Sequence, residues 1–132
     1  MLLSWYVRLL SNAYKQTLRI ANDQIEIDEL TGLFSRYKIQ VELDKLISHC
    51  QKKNMRLAAF FLDLDRFKTI NDVFGHETGD WLLIKVAQRL RSIFPEGSII
   101  GRLGGDEFLA LMVLDDQKDR VFLEKLCKEV II

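Results

Sequence analysis

At 132 residues the chain has room for one domain with a real core and too little for two ordinary ones. Its 48% hydrophobic content fits a globular protein, and 19 Lys plus Arg against 19 Asp plus Glu leave no net field to draw a polynucleotide or an anionic membrane, which disfavours nucleic acid as a partner. Cys50 and Cys127 form no CxxC pair, so neither a disulfide framework nor a zinc site is indicated and a reducing cytoplasm is the default compartment.

No run reaches the ~18 apolar residues of a membrane span, since Ser4 and Arg8 interrupt Met1 to Leu10. Leu3, Tyr6, Leu10, Ala13, Thr17, Ile20, Gln24 and Ile27 recur in steps of three and four, the spacing of a coiled-coil seam weakened by its polar members. A helix lying on its own domain and a parallel dimer stalk both satisfy that pattern. Residues 1–27 are thus expected to form a helix leading into a domain that occupies 28–132. Asp28-Glu29-Leu30-Thr31-Gly32-Leu33 breaks the periodicity, and Ser35 is placed to cap a second helix reaching about Lys53, with Ile39, Leu43, Leu46, Ile47 and Cys50 as its buried stripe. His49 reads as a surface residue.

Leu57 to Leu62 is apolar without alternation, which predicts a central strand covered on both faces. Asp63-Leu64-Asp65 follows at once: either its carboxylates are hard oxygen ligands for a divalent cation, or Asp65 caps a turn and Asp63 merely ends the strand. In RFKTINDVFGHETGDW, residues 66–81, an amide and a carboxylate such as Asn71 and Asp80 suit the edge of a purine and Lys68 suits a phosphate; caps and solvated faces account for the same residues. Gly79 and Asp80 are expected to open a helix with Leu83, Val86, Ala87, Leu90, Ile93 and Phe94 on one side, ended by Pro95. Ser98 to Leu114 then reads as a hairpin, two β-rich runs around Gly104-Gly105-Asp106-Glu107, and Gln117 to Ile132 as a final helix with Phe122, Leu123, Leu126, Cys127 and Val130 inward.

If the hairpin pairs beside Leu57 to Leu62, Asp63, Asp65, Asp106 and Glu107 meet at one end of the sheet with room for two metal ions between them. Carboxylate-bound metals serve phosphoryl and nucleotidyl transfer. The absence of GxxxxGK[ST] excludes a P-loop nucleotidase.

DELTGLFSR at 28–36, DLDRFKTINDVFGHETGD at 63–80 and GGDEF at 104–108 together resemble the GGDEF family of diguanylate cyclases. The resemblance implies an α/β (α+β) fold, palm-like and ferredoxin-like, with a mostly antiparallel central sheet. It also implies the condensation of two GTP molecules into cyclic di-GMP and pyrophosphate by a homodimer, with Mg2+ (or Mn2+) as cofactor. By position, Asp63, the Leu64 carbonyl and Asp106 would ligate metal. Glu107 would assist with metal or with deprotonating the 3′-hydroxyl. Asn71 and Asp80 would bind guanine, and Lys68 with the backbone at Arg66 and Phe67 would contact the terminal phosphates. Gly104 and Gly105 would let the backbone approach the nucleotide.

Two departures accompany the likeness. An inhibitory RxxD motif would fall at Pro95 to Ser98 and is absent, so no product-binding site of that type is expected. The family's domain also continues for about a quarter of its length past the point reached here, with a further strand, basic residues that help hold phosphate, and a final helix. The expectation is therefore a domain incomplete at its C-terminus, with the edge of Leu57 to Leu62 open. The alternative function is a non-catalytic module that binds GTP or dimerises as a regulator.

Overall fold

Glycine and left-handed turns set the element boundaries in the computed structural model, which describes residues 2–114 and 118–130. Among the described residues, five helices and three strands follow in the order α1 (Leu2–Asp23), α2 (Arg36–Lys53), β1 (Arg56–Asp63), α3 (Phe67–Phe74), α4 (His76–Ile93), β2 (Ile99–Gly104), β3 (Glu107–Leu114) and α5 (Lys118–Val130). The strands form one antiparallel sheet ordered β1-β3-β2, giving the expected α+β class.

The hairpin lies beside β1 as expected, yet the strand in the middle is β3. Among the described residues β1 is an edge strand, with Arg56 to Asp63 paired to Leu114 to Glu107 on one side. Nor is β1 covered on both faces. Ala58, Phe60 and Leu62 pack into the main core with Leu83, Ala87 and Leu90 of α4, Phe108, Ala110 and Met112 of β3 and Leu126 of α5. On the opposite face α2 stands over β2 and β3, where Ile39 meets Leu109 and Leu111 and reaches only Leu57 of β1. Phe61 is consequently 77% exposed. An unbroken apolar run reads as two-sided burial, whereas here α2 sits over β2 and β3 and leaves most of the second face of β1 uncovered.

The helix boundaries follow local chemistry. The Ser35 hydroxyl accepts from the Lys38 N–H at 3.2 Å and starts α2, and Asn54 ends it in the left-handed region at φ 51°. Along α2, Ile39 and Cys50 are buried, Leu43 and Leu46 half-buried, and Ile47 and His49 exposed. The fourth helix begins at His76 rather than at Gly79, because Gly75 at φ +90° is the break between α3 and α4. Leu83, Ala87, Leu90 and Phe94 of its predicted stripe are buried. Phe60, Phe94 and Phe122 stack edge-on at 5.2 and 5.7 Å, tying β1, the end of α4 and α5 into one core.

From Ser4 to Thr17, α1 is exposed at every residue, including Trp5, Tyr6, Leu9, Leu10 and Tyr14. That stretch does not lie on its own domain. The predicted seam also ends early: Gln24 and Ile27 lie beyond the helix, with Ile27 bridged to Phe34, which in turn bridges Gly101 of β2. The side chains of Leu3, Ile20, Cys127 and Val130, and Gln117, Ile131 and Ile132 altogether, lie outside the described residues.

Candidate active site

Antiparallel pairing of β1 with β3 places Asp63 opposite Glu107, and the Leu64 N–H donates to the Asp106 carbonyl at 3.2 Å. Two acidic segments far apart in sequence are thereby fastened together at one end of the sheet. The Asp63 and Asp106 carboxyl groups come within hydrogen-bonding reach of each other. The charge of Asp106, then the loss of water around the group, then that hydrogen bond push Asp63 above the ordinary carboxylate range, with Glu107 and Asp65 adding to the effect.

A cleft of about 370 Å³ opens over this pair, lined by Asp63, Leu64, Asp65, Arg66, Phe67, Lys68 and Asp106. Arg66 holds a left-handed conformation at φ 58°, and no side chain caps the first turn of α3. The first amide N–H groups of that helix are therefore left without a side-chain cap, and its first turn also carries Lys68. Among the described residues no three His, Cys, Asp or Glu side chains converge closely enough to hold a metal by themselves, so Glu107 does not join Asp63 and Asp106 in a cage. The donor set still suits magnesium. Two carboxylates that repel each other lack a compensating positive charge, and Mg2+ is usually bound by one or two carboxylates with water and substrate phosphate completing the shell.

The other predicted residues lie off this cleft. Asn71 is half-buried on α3, and its Oδ1 is enclosed without a hydrogen-bond partner. It presses on Gly79 of α4, where an added Cβ would stand 1.8 Å from that oxygen. Asp80, the next residue, is exposed. The α3–α4 pair thus brings Asn71 next to the Gly79–Asp80 backbone, as a second polar place separate from the carboxylates. Gly104 and Gly105 form the hairpin turn at φ +151° and +49°, with open space where their side chains would be.

Sequence reasoning assigned Gly79 another role and passed over Arg102. Gly79 matters for the room it leaves Asn71, and its only signal is a glycine beside a candidate acid. Arg102, two positions before the glycine pair, donates from Nε to the Gly105 carbonyl at 2.8 Å and from Nη1 to both Asp28 oxygens at 3.2 and 3.3 Å.

The family model described as the diguanylate cyclase GGDEF domain matches residues 25–131. Diguanylate cyclase DgcP of Escherichia coli (strain K12) is 41% identical over 122 residues, which is 89% of this chain and 35% of that protein, so the chain spans about a third of its relative's length. A sensory box/GGDEF family protein from Caulobacter crescentus CB15 is 38% identical with a TM-score of 0.71, over 79% of this chain and 67% of that one. The coiled coil and GGDEF domain of DgcB from Caulobacter crescentus, solved in complex with c-di-GMP, is 25% identical with a TM-score of 0.70, over 93% of this chain and 68% of that one. In sequence and in fold, the chain belongs to the GGDEF domain family of diguanylate cyclases.

Proposed function

We propose that this chain carries the nucleotide site of a diguanylate cyclase, joining two GTP molecules into cyclic di-GMP and pyrophosphate, with each subunit of a homodimer presenting one GTP. The observation that carries the reading is the contact between Asp63 and Asp106 at the mouth of a cleft that Lys68 also lines. In this role Asp63, Asp106 and the Leu64 carbonyl hold Mg2+ or Mn2+ jointly with the nucleotide's phosphates. When bound, the cation neutralises charge on the phosphate under attack and so lowers the barrier to displacement. Lys68 and the uncapped amides at Arg66 and Phe67 hold the terminal phosphates. Glu107, opposite Asp63 in the sheet register, takes the proton of the 3′-hydroxyl as that oxygen bonds to the α-phosphorus of the other GTP and the bond to pyrophosphate breaks. The enclosed Asn71 Oδ1 accepts from the guanine edge, Asp80 accepts from a second guanine N–H, and Gly104 and Gly105 let the backbone come close.

Two such sites must face each other, and the exposed apolar side of α1 suits a stalk that pairs subunits, in line with the coiled coil of the DgcB relative. No described helix is long and apolar enough to cross a membrane, and GTP as substrate implies a cytoplasmic setting. The outer edge of β1, where no further strand pairs among the described residues, favours a second reading in which the domain binds GTP or a partner without turnover. Incubation of the full chain with GTP and Mg2+, followed by chromatography, separates the two. Cyclic di-GMP that disappears in Asp106→Asn supports the cyclase. GTP binding with no product supports the second reading, and no GTP binding refutes the cyclase and the GTP-binding form of the second reading.

A further inference from the structure

The two carboxylates of the cleft repel each other, so something must hold the turn that carries Asp106 against β1. Asp106 has a peptide group on either side, and both are fixed. The following one accepts from Leu64 N–H at 3.2 Å, which ties it to the end of β1. The preceding one presents the Gly105 carbonyl to Arg102 Nε at 2.8 Å. Besides the pairing of Gly104 with Glu107, that second bond is what restrains the turn, since Gly104 and Gly105 are both at positive φ and touch nothing where a Cβ would be.

Arg102 is itself held. Its Nη1 reaches both oxygens of Asp28, and those oxygens are set by Thr31, whose backbone N–H and hydroxyl donate to Asp28 Oδ2 at 3.0 and 2.6 Å. The Arg102 side chain is only 15% exposed, so the ion pair is shielded from solvent enough to fix the guanidinium plane. Arg102 therefore spans from the loop that follows α1 to the peptide bond before a proposed metal ligand.

We propose that Arg102, anchored by Asp28, is a positioning residue that sets the backbone of Asp106 and so keeps two mutually repelling carboxylates close enough to share a cation. This rests on the metal-site reading of Asp63 and Asp106 given above. Lysine cannot replace the fork: an ammonium reaches Asp28 or the Gly105 carbonyl as a point charge, without a fixed plane joining them. Arg91 supplies the contrast, because its Nη2 donates to the Thr31 carbonyl at 3.3 Å and braces the same loop from α4 without touching the hairpin turn.

The test is Mn2+ binding to the full chain, followed by the loss of the free-ion electron paramagnetic resonance signal, with thermal melts run alongside. Arg102→Lys and Asp28→Asn are expected to weaken Mn2+ binding by about 10-fold or more, the usual effect of removing an outer-shell partner. Arg91→Ala is expected to lower the melting temperature and leave Mn2+ affinity unchanged. Should either Arg102→Lys or Asp28→Asn fail to fold, the other carries the comparison. Wild-type Mn2+ affinity in a folded Arg102→Lys or Asp28→Asn protein, where Asp106→Asn abolishes binding, overturns the positioning role and leaves the metal site standing. An equal loss in Arg91→Ala overturns it too, by showing that any loosening of the loop suffices. Absence of Mn2+ binding in the unmodified chain overturns both this inference and the reading beneath it.

Discussion

Replacing Gly79 with alanine is a one-carbon change that separates the guanine-reading role proposed for Asn71 from the proposed metal site. The new Cβ would lie 1.8 Å from Asn71 Oδ1, 2.9 Å from its Cγ and 3.2 Å from Phe67 Cζ. Ordinary contact begins near 3.4 Å, so the amide must retreat by roughly 1.6 Å, and a hydrogen bond of about 2.9 Å to a base cannot survive that movement. Loss of one neutral hydrogen bond at an enclosed oxygen is worth about 1 to 1.5 kcal/mol, which is close to tenfold in affinity. The fold should tolerate the change, since alanine gains about 1 kcal/mol of helix propensity against about 1 to 3 kcal/mol of overpacking at a movable side chain. The assay is equilibrium titration with a fluorescent GTP analogue beside Mn2+ titration of the same protein. Nucleotide affinity is expected to fall about tenfold while Mn2+ affinity stays at the wild-type level. A folded Gly79→Ala protein that binds GTP as tightly as wild type would refute the assignment of Asn71 to the base.

Three further outcomes follow from the same geometry. The charge of Asp106 pushes Asp63 up, so the ionised pair opposes folding above the raised Asp63 pKa and the opposition fades as pH falls through it. At neutral pH with chelator present, Asp106→Asn should therefore melt higher than wild type and lose the rise in melting temperature that Mg2+ gives; a lower melting point would contradict the repulsion. Partial burial pushes Asp28 up, but bonds from Thr31 and the charge of Arg102 outweigh it and the net shift is downward from 3.8. The stability it contributes is complete above that value and disappears as pH falls through the lower folded one, so melts of wild type and Asp28→Asn should converge only below about pH 4. Gly101→Ala would set a Cβ 2.3 Å from Ile39 Cγ1 and 2.8 Å from the Phe34 carbonyl, a backbone atom that cannot swing away. Urea titration should show a loss of about 2 to 3 kcal/mol, and a change under about 0.5 kcal/mol would show that α2 floats over the sheet.

Short-range signals in the sequence proved dependable where the chemistry was local. Ser35 starts α2, the helix ends at Lys53, and the hairpin turns at Gly104-Gly105, because a cap or a positive φ is decided by a few adjacent residues. The place of β1 in the sheet was not legible, since an edge strand and a central strand can share the run LAAFFL and only the neighbouring helices decide which faces are covered. Position in sequence misled at Gly79, where a glycine taken for a helix start is a clearance for Asn71 inside α4. The carboxylates of the cleft were visible as residues, and their meeting depended on one pairing, β1 with β3, which the hairpin's position made foreseeable. The pairing of Arg102 with Asp28 escaped notice because it spans 74 positions and neither residue belongs to a periodic pattern.

The central claim is that Asp63 and Asp106 hold a divalent cation together with the phosphates of GTP. A crystal of the chain grown with Mn2+ and a non-hydrolysable GTP analogue, with data collected at the manganese absorption edge, addresses it directly. The account predicts an anomalous peak between the two carboxylates and the Leu64 carbonyl, with the nucleotide's phosphates over Lys68. A peak elsewhere on the protein, or nucleotide bound with no metal between Asp63 and Asp106, would contradict it.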